Sequence, residues 1–169
     1  MTSSSAASFT PEELAAWRGL LEVHARVIHQ LDVEIRAVHG LTLSQCEMLI
    51  LLDDTPGRRM RMTELAEGVL LSRSACTRLV DRLGGSLVRA ATDDRRGLYA
   101  QLTDTGRQVI TRARATHRAS LRRAFLDRLR ETDRITLGDI WARVRAGALP
   151  NSDRTGRTEP CRLPMPART

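Results

Sequence analysis

The sequence contains no lysine: every one of its 27 Lys+Arg residues is arginine. Guanidinium groups grip phosphate bidentately, but an arginine-only set also follows from GC-rich coding and assigns nothing alone. The 3 cysteines, Cys46, Cys76 and Cys161, have no paired spacing. That excludes a disulfide framework or a cysteine metal cluster and fits a reducing compartment. The 4 histidines, His24, His29, His39 and His117, form no His-x-x-x-His pair and no nucleophile motif accompanies them. A hydrolase or metal enzyme lacks its residues here, so no enzymatic activity, metal or cofactor is expected. Long apolar runs are missing, and Met1 to Ser8 lack the basic start and apolar core of a signal peptide. A cytoplasmic protein without a membrane partner is therefore expected. No internal repeat is visible.

What is present is 169 residues, enough for one domain with a real core, at a formal charge of +7 and a pI near 10.9. Basic charge suits nucleic acid or an acidic membrane surface. Residues 62–103 choose between them. Thr63-Glu64-Leu65-Ala66-Glu67 opens a short helix that passes through Val69-Leu70-Leu71 into a second helix from Ser72 to Leu83. Two short helices with a tight link predict a helix-turn-helix. Leu65, Ala66, Val69, Leu71, Cys76 and Leu79 fall where the crossing helices share a core, and Arg73, Ser74, Thr77, Arg78 and Arg82 fall on the opposite face. Ser72 is a natural N-cap, and the helix start it caps favours an anion.

Residues 87–91 and 98–102 read as two strands, with Leu98, Ala100 and Leu102 on one face, joined by Thr92-Asp93-Asp94-Arg95-Arg96-Gly97. A charged hairpin tip is most often only solvated. Placed directly after the second helix it predicts a wing, whose arginines suit the minor groove.

The remaining chain reads as helices. Thr10 as N-cap, Pro11 at the first helical position, Glu13 completing a capping box and Phe9 stapled to Leu14 predict a start at Pro11. Leu14, Trp17, Leu21, His24, Ile28, Leu31, Ile35 and Val38 form a heptad seam, which asks for another helix against it. His24 within that seam is a satisfied core residue or part of a polar pocket. Gly40 ends this helix, and Ser44 is expected to cap an apolar scaffold helix, 45–52. After the wing, Thr103 caps a long helix with a stripe of Ile110, Ala113, His117, Leu121, Ala124 and Phe125. Its other arginines, Arg112, Arg114, Arg118, Arg122 and Arg123, form a solvated face, whereas Arg107 lies close to the wing. A last helix is expected from Thr132 or Asp133, carrying Leu137, Ile140, Trp141 and Val144, with Pro150 as its stop.

The run Leu71-Ser72-Arg73-Ser74, Thr77-Arg78-Leu79-Val80-Asp81-Arg82-Leu83, Leu87-Val88-Arg89, Asp94-Arg95-Arg96-Gly97 and Leu102-Thr103 followed by Gly106-Arg107 resembles the MarR family of bacterial winged-helix regulators. The resemblance spans residues 10–148. It departs from the family pattern in a short link, Gly84-Gly85-Ser86, in a wing about two residues short, and in Ala90 where an arginine often follows Arg89.

The resemblance implies a mainly α fold with a small β-hairpin wing: a winged helix-turn-helix with N- and C-terminal dimerisation helices. The expected organisation is a disordered N-terminus, 1–9, then one domain, 10–149, and a disordered tail, 150–169. Within the domain, 44–103 form the winged helix, and 11–39 and 103–149 form the dimerisation helices. The implied function is a homodimeric, sequence-specific repressor released from a pseudo-palindromic operator in double-stranded DNA by a small aromatic or phenolic ligand. Expected DNA-binding residues are Ser72, Arg73, Ser74, Thr77, Arg78, Arg89, Arg95 and Arg96. Expected ligand-binding residues are Trp17, His24, Met48 and Leu52, in a crevice between the dimerising helices and the DNA-binding lobe. The alternatives are a thiol redox sensor of the same fold, acting through Cys76, and a non-specific DNA architectural protein.

Overall fold

A computed structural model of the chain describes residues 8–91 and 98–147. The expected wing tip, 92–97, and the expected tail lie outside the described residues. The elements run α1 (Pro11–His39), α2 (Leu43–Asp53), β1 (Arg59–Arg61), α3 (Met62–Gly68), α4 (Arg73–Leu83), β2 (Leu87–Ala91), β3 (Leu98–Leu102), α5 (Asp104–Ala124) and α6 (Glu131–Gly147). Short 3-10 turns occupy Pro56–Arg58, Gly84–Ser86 and Leu126–Arg128. The fold is a winged helix-turn-helix flanked by long terminal helices, as the sequence predicts.

Local signals explain where α1 begins and ends. The Thr10 hydroxyl accepts the Glu13 N–H at 3.2 Å while the Glu13 carboxylate accepts the Thr10 N–H at 2.8 Å, which satisfies two of the helix's orphan donors. Gly40 at φ 68° closes the other end with its N–H on the Arg36 carbonyl. Phe9 nevertheless stays 71% exposed, so the expected staple gives it little cover.

The second helix corrects an expectation. Its N-cap is Thr42, not Ser44, because Gln45 reaches back to accept the Thr42 N–H at 2.8 Å while Thr42 accepts the Gln45 N–H at 3.1 Å. Ser44 lies exposed inside the first turn. Asp32 of α1 accepts the Leu43 N–H at 2.8 Å and pairs with Arg36, which fixes the α1–α2 corner. These two partners, Arg36 foremost, hold its carboxyl below the usual range despite some desolvation.

The core lies between α2, the helix-turn-helix, the sheet and α5. Ile35, Met48, Leu49, Leu52, Leu65, Cys76, Ala100 and Ile110 lose essentially all solvent contact there. The sheet order is β1-β3-β2, with both pairings antiparallel. Met60 of β1 lies opposite Ala100, and Ala100 and Leu102 face the core. Leu98, expected on that buried face, is half exposed because it stands at the outer end of the strand.

The heptad seam of α1 is buried within the chain at Leu31 and Ile35, while Trp17, Leu21, Ile28 and Val38 are exposed and His24 is exposed with them, the state of a helix that asks for a second chain. Two further expectations change. Helix α6 starts at Glu131, one residue earlier than expected, because Asp133 reaches back to accept the Arg130 N–H at 3.0 Å. Arg114 leaves the solvated arginine face: its side chain, 20% exposed, lies against Asp53 and Asp54.

Candidate nucleic-acid interface

Helix α4 is amphipathic by construction. Cys76, Leu79, Val80 and Leu83 recur three and four apart and are buried, so Arg73, Ser74 and Arg78 are turned outward and exposed. Ser72 caps the helix, accepting the Ala75 N–H at 3.3 Å, and its hydroxyl lies 3.3 Å from that of Ser74. The helix therefore begins with two hydroxyls and an arginine around exposed backbone N–H groups, a setting that attracts anionic oxygen.

Thr77 is half-buried and differs from its neighbours. Its hydroxyl donates to the Arg73 carbonyl at 3.0 Å, so outwardly it offers lone pairs and a methyl group. Arg82 folds back, with Nε donating to the Arg78 carbonyl at 3.3 Å. Arg78 is exposed nearly two turns beyond the cap, placed to reach outward.

The turn before α4 sets the angle between the two helices. The Leu71 N–H donates to the Ala66 carbonyl at 2.8 Å and the Leu70 N–H to the Glu67 carbonyl at 3.1 Å. This is a Schellman motif, whose left-handed position is occupied by Leu70 at φ 55°.

Among the expected wing residues, Arg89 lies in β2 with its backbone opposite Ala100, while Arg95 and Arg96 lie outside the described residues. The sheet brings a tyrosine to the arginines of the short strand before the helix-turn-helix, a strand that the family resemblance implies, with its arginines close to DNA. Arg59 and Arg61 of β1 share the outer face with Tyr99 of β3, their guanidinium carbons 5.1 and 5.4 Å from the ring centroid. The alternation Arg59-Met60-Arg61 carried the signal; the register to Tyr99 was needed to use it.

The expected ligand residues do not meet within one chain. Trp17 is 57% exposed and His24 is exposed on the N-terminal half of α1, whereas Met48 and Leu52 are fully enclosed in the core. No group of three or more His, Cys, Asp or Glu among the described residues is placed to hold a metal.

Among the described residues the two thiols, Cys46 and Cys76, are buried and poorly set for redox chemistry. Burial, aided by the charge of Glu47 and opposed by Arg114, pushes Cys46 up to about 11. Burial also raises Cys76, whose Sγ lies 4.0 Å from the Met62 carbonyl. A thiol that holds its proton is a weak nucleophile. No single helix among the described residues is long and apolar enough to cross a membrane.

A helix-turn-helix, a three-stranded sheet beside it and long flanking helices define a winged-helix protein. No family model and no curated protein matches the sequence, but solved structures do. The chain is similar to Sco3205, a MarR family transcriptional regulator from Streptomyces coelicolor solved in complex with DNA. The identity is 34%, covering 86% of this chain and 97% of that one, at a TM-score of 0.80. It is also similar to AbsC, another MarR family regulator from Streptomyces coelicolor, at 33% identity, 83% and 99% coverage and a TM-score of 0.76. The repressor CouR, bound to a 23-mer DNA duplex, matches at 26% identity, 82% and 99% coverage and a TM-score of 0.67. The chain belongs to the MarR family of transcriptional regulators.

Proposed function

We propose that this chain is a homodimeric, sequence-specific DNA-binding repressor that reads the major groove with α4. The observation that carries the reading is the outward face of that helix: Ser72, Arg73, Ser74 and Arg78 stand exposed around a capped N-terminus, while the opposite face is buried. Arginine and hydroxyl groups at the start of a helix match base edges and phosphates. Thr77 joins them as an acceptor and methyl contact, and Arg89, Arg95 and Arg96 of the wing contact the backbone and the minor groove. That Sco3205 and CouR were solved with DNA supports the same partner here.

Dimerisation is supported by the apolar surface that one chain leaves uncovered. Trp17, Leu20, Leu21 and Ile28 of α1 are exposed, as are Ile135 and Val144 of α6, a helix with no buried residue. Two-fold pairing of these helices covers them and spaces two α4 helices along a pseudo-palindromic site. Release by a small aromatic acid completes the proposal, with Trp17 and His24 meeting the ligand in a crevice bounded by the second chain.

The experiment is a nuclease-protection search for an inverted repeat upstream of the protein's own gene, followed by gel-shift titration of variants. Arg78→Ala should cost about 1–3 kcal/mol on the protected site and relax its specificity, whereas Arg96→Ala should weaken binding evenly across sequences. Unchanged affinity in both variants removes the reading. Equal affinity for the site and for competitor DNA would instead indicate an architectural protein. Adding a panel of aromatic acids to the complex then tests release.

A further inference from the structure

We propose that Tyr99 is a positioning residue that holds Arg59 and Arg61 as a second phosphate-gripping patch, separate from the one on α4. This rests on the DNA-binding reading above and adds a site to it.

The geometry of the sheet carries the inference. Met60 and Ala100 oppose one another on the inner face, where Ala100 has no accessible surface, so Arg59, Arg61, Tyr99 and Gln101 must face outward. Both guanidinium groups lie within cation–π range of the one tyrosine in the chain, at 5.1 and 5.4 Å.

The neighbours sharpen the contrast. Arg58 turns toward Asp53, with Nε 3.6 Å from its Oδ1. Arg59 is exposed and forms no ion pair among the described residues. The ring restrains this long side chain without neutralising it, so ordering entropy that binding would otherwise cost is already lost in the free protein.

The position suits a duplex. Arg61 stands at the N-cap position of α3, and Tyr99, opposite it in the sheet, adjoins Leu98, the first residue of β3 after the hairpin connection. The patch thus sits where the helix-turn-helix meets the wing. A backbone that passes both elements presents regularly spaced phosphates to the surface between them.

The test uses the full chain and a fluorescein-labelled duplex of mixed sequence, about 30 base pairs long, read by anisotropy over a range of salt concentrations. Tyr99→Leu should weaken binding about three- to tenfold and flatten log affinity against log salt by roughly 1 to 2 for the dimer. Tyr99→Phe, which keeps the ring, should bind as wild type. In an Arg59→Ala/Arg61→Ala background, Tyr99→Leu should have no further effect. Should Tyr99→Leu fold poorly, Arg59→Gln, an exposed change on an edge strand, should flatten the salt slope alone. Wild-type affinity and slope in Tyr99→Leu or Arg59→Gln overturn the proposal, as does an undiminished Tyr99→Leu effect without the arginines. If the wild-type chain itself ignores the duplex, the DNA-binding reading fails; if it binds and these variants match it, only the patch does.

Discussion

Arg114 of α5 bridges Asp53 and Asp54 at the end of α2, its Nη2 standing 2.9 Å from Asp53 Oδ2 and 2.8 Å from Asp54 Oδ1. The same guanidinium donates through Nη1 to Asp54 Oδ2 at 3.2 Å. One side chain therefore ties the long helix to the turn that leads into β1. Its carboxylate partners, Asp54 first, raise its own pKa above an already high value, so the charge is permanent.

Arg114→Met should keep much of the packing and remove the bridge, leaving Asp53 and Asp54 to face each other. The expected loss is about 1–2 kcal/mol, below the figure for a fully buried pair because solvent reaches Asp54. Thermal unfolding would register it. An unchanged melting temperature means that water replaces the guanidinium without cost.

Leu70 offers the opposite sign. It is 90% exposed and holds φ at 55° in the Schellman turn, where a side chain meets steric opposition and glycine does not. Leu70→Gly should stabilise the protein by about 0.5–1 kcal/mol, net of the entropy that glycine adds to the unfolded chain. Denaturant titration decides; a loss of stability would show that Leu70 contributes packing that its exposure conceals.

These cases show what the sequence exposes and what it conceals. The caps at Thr10, Ser72 and Thr103 and the stop at Gly40 were legible because each lies within a few residues of the groups it satisfies. Thr42 was misread for Ser44 because both are good caps, and only the reach of Gln45 separates them. Arg114 looked like its solvated neighbours because its partners come about sixty positions earlier in the chain. The outward face of α4 was legible from period alone, whereas the hydrogen bond that commits the Thr77 proton to a backbone carbonyl was not.

Gly106 lies where α5 begins, under the Ser86 carbonyl. A Cβ there would stand 2.2 Å from that oxygen and 2.7 Å from Leu102 Cδ1. The same carbonyl accepts the Thr103 N–H at 3.2 Å and, at 3.1 Å, shares the Thr103 hydroxyl proton with the Gly85 carbonyl at 2.8 Å, so it cannot withdraw without loosening the cap. Gly106→Ala should cost about 2–4 kcal/mol, a large effect for one methyl group. A cost below about 0.5 kcal/mol, the range of ordinary surface changes, would mean the helix shifts freely.

His117 is half-buried on α5, and burial, helped by the charges of Arg114 and Arg118, lowers its pKa from the ordinary 6.5. The unfolded chain then takes up this proton at higher pH than the folded one. Stability from this group is complete above pH 6.5 and declines as pH falls through 6.5 toward the lowered value. Asp32 acts at lower pH: its depressed pKa keeps its contribution until pH falls below the ordinary 3.8. His117→Gln should therefore flatten the melting-temperature profile between neutrality and pH 5 and leave the steeper acid limb in place. An unaltered profile would assign the mid-range slope to another group.

The exposed side of α1 gives the most direct check on assembly. Leu21 and Ile28 are 47% and 38% exposed in the single chain, so in a monomer a polar replacement at either position should change stability by no more than about 0.5 kcal/mol. In a dimer closed over this helix the same replacement places a carboxylate in an apolar seam, and two-fold symmetry places it there twice. Ile28→Asp is thus nearly neutral for one arrangement and severe for the other. Light scattering at micromolar concentration should give twice the chain mass for the wild type and a single chain for Ile28→Asp, with retained helical circular dichroism. Operator affinity should fall with the mass, because one α4 helix then binds without its partner. An Ile28→Asp protein that keeps twice the chain mass would move the interface away from this face of α1.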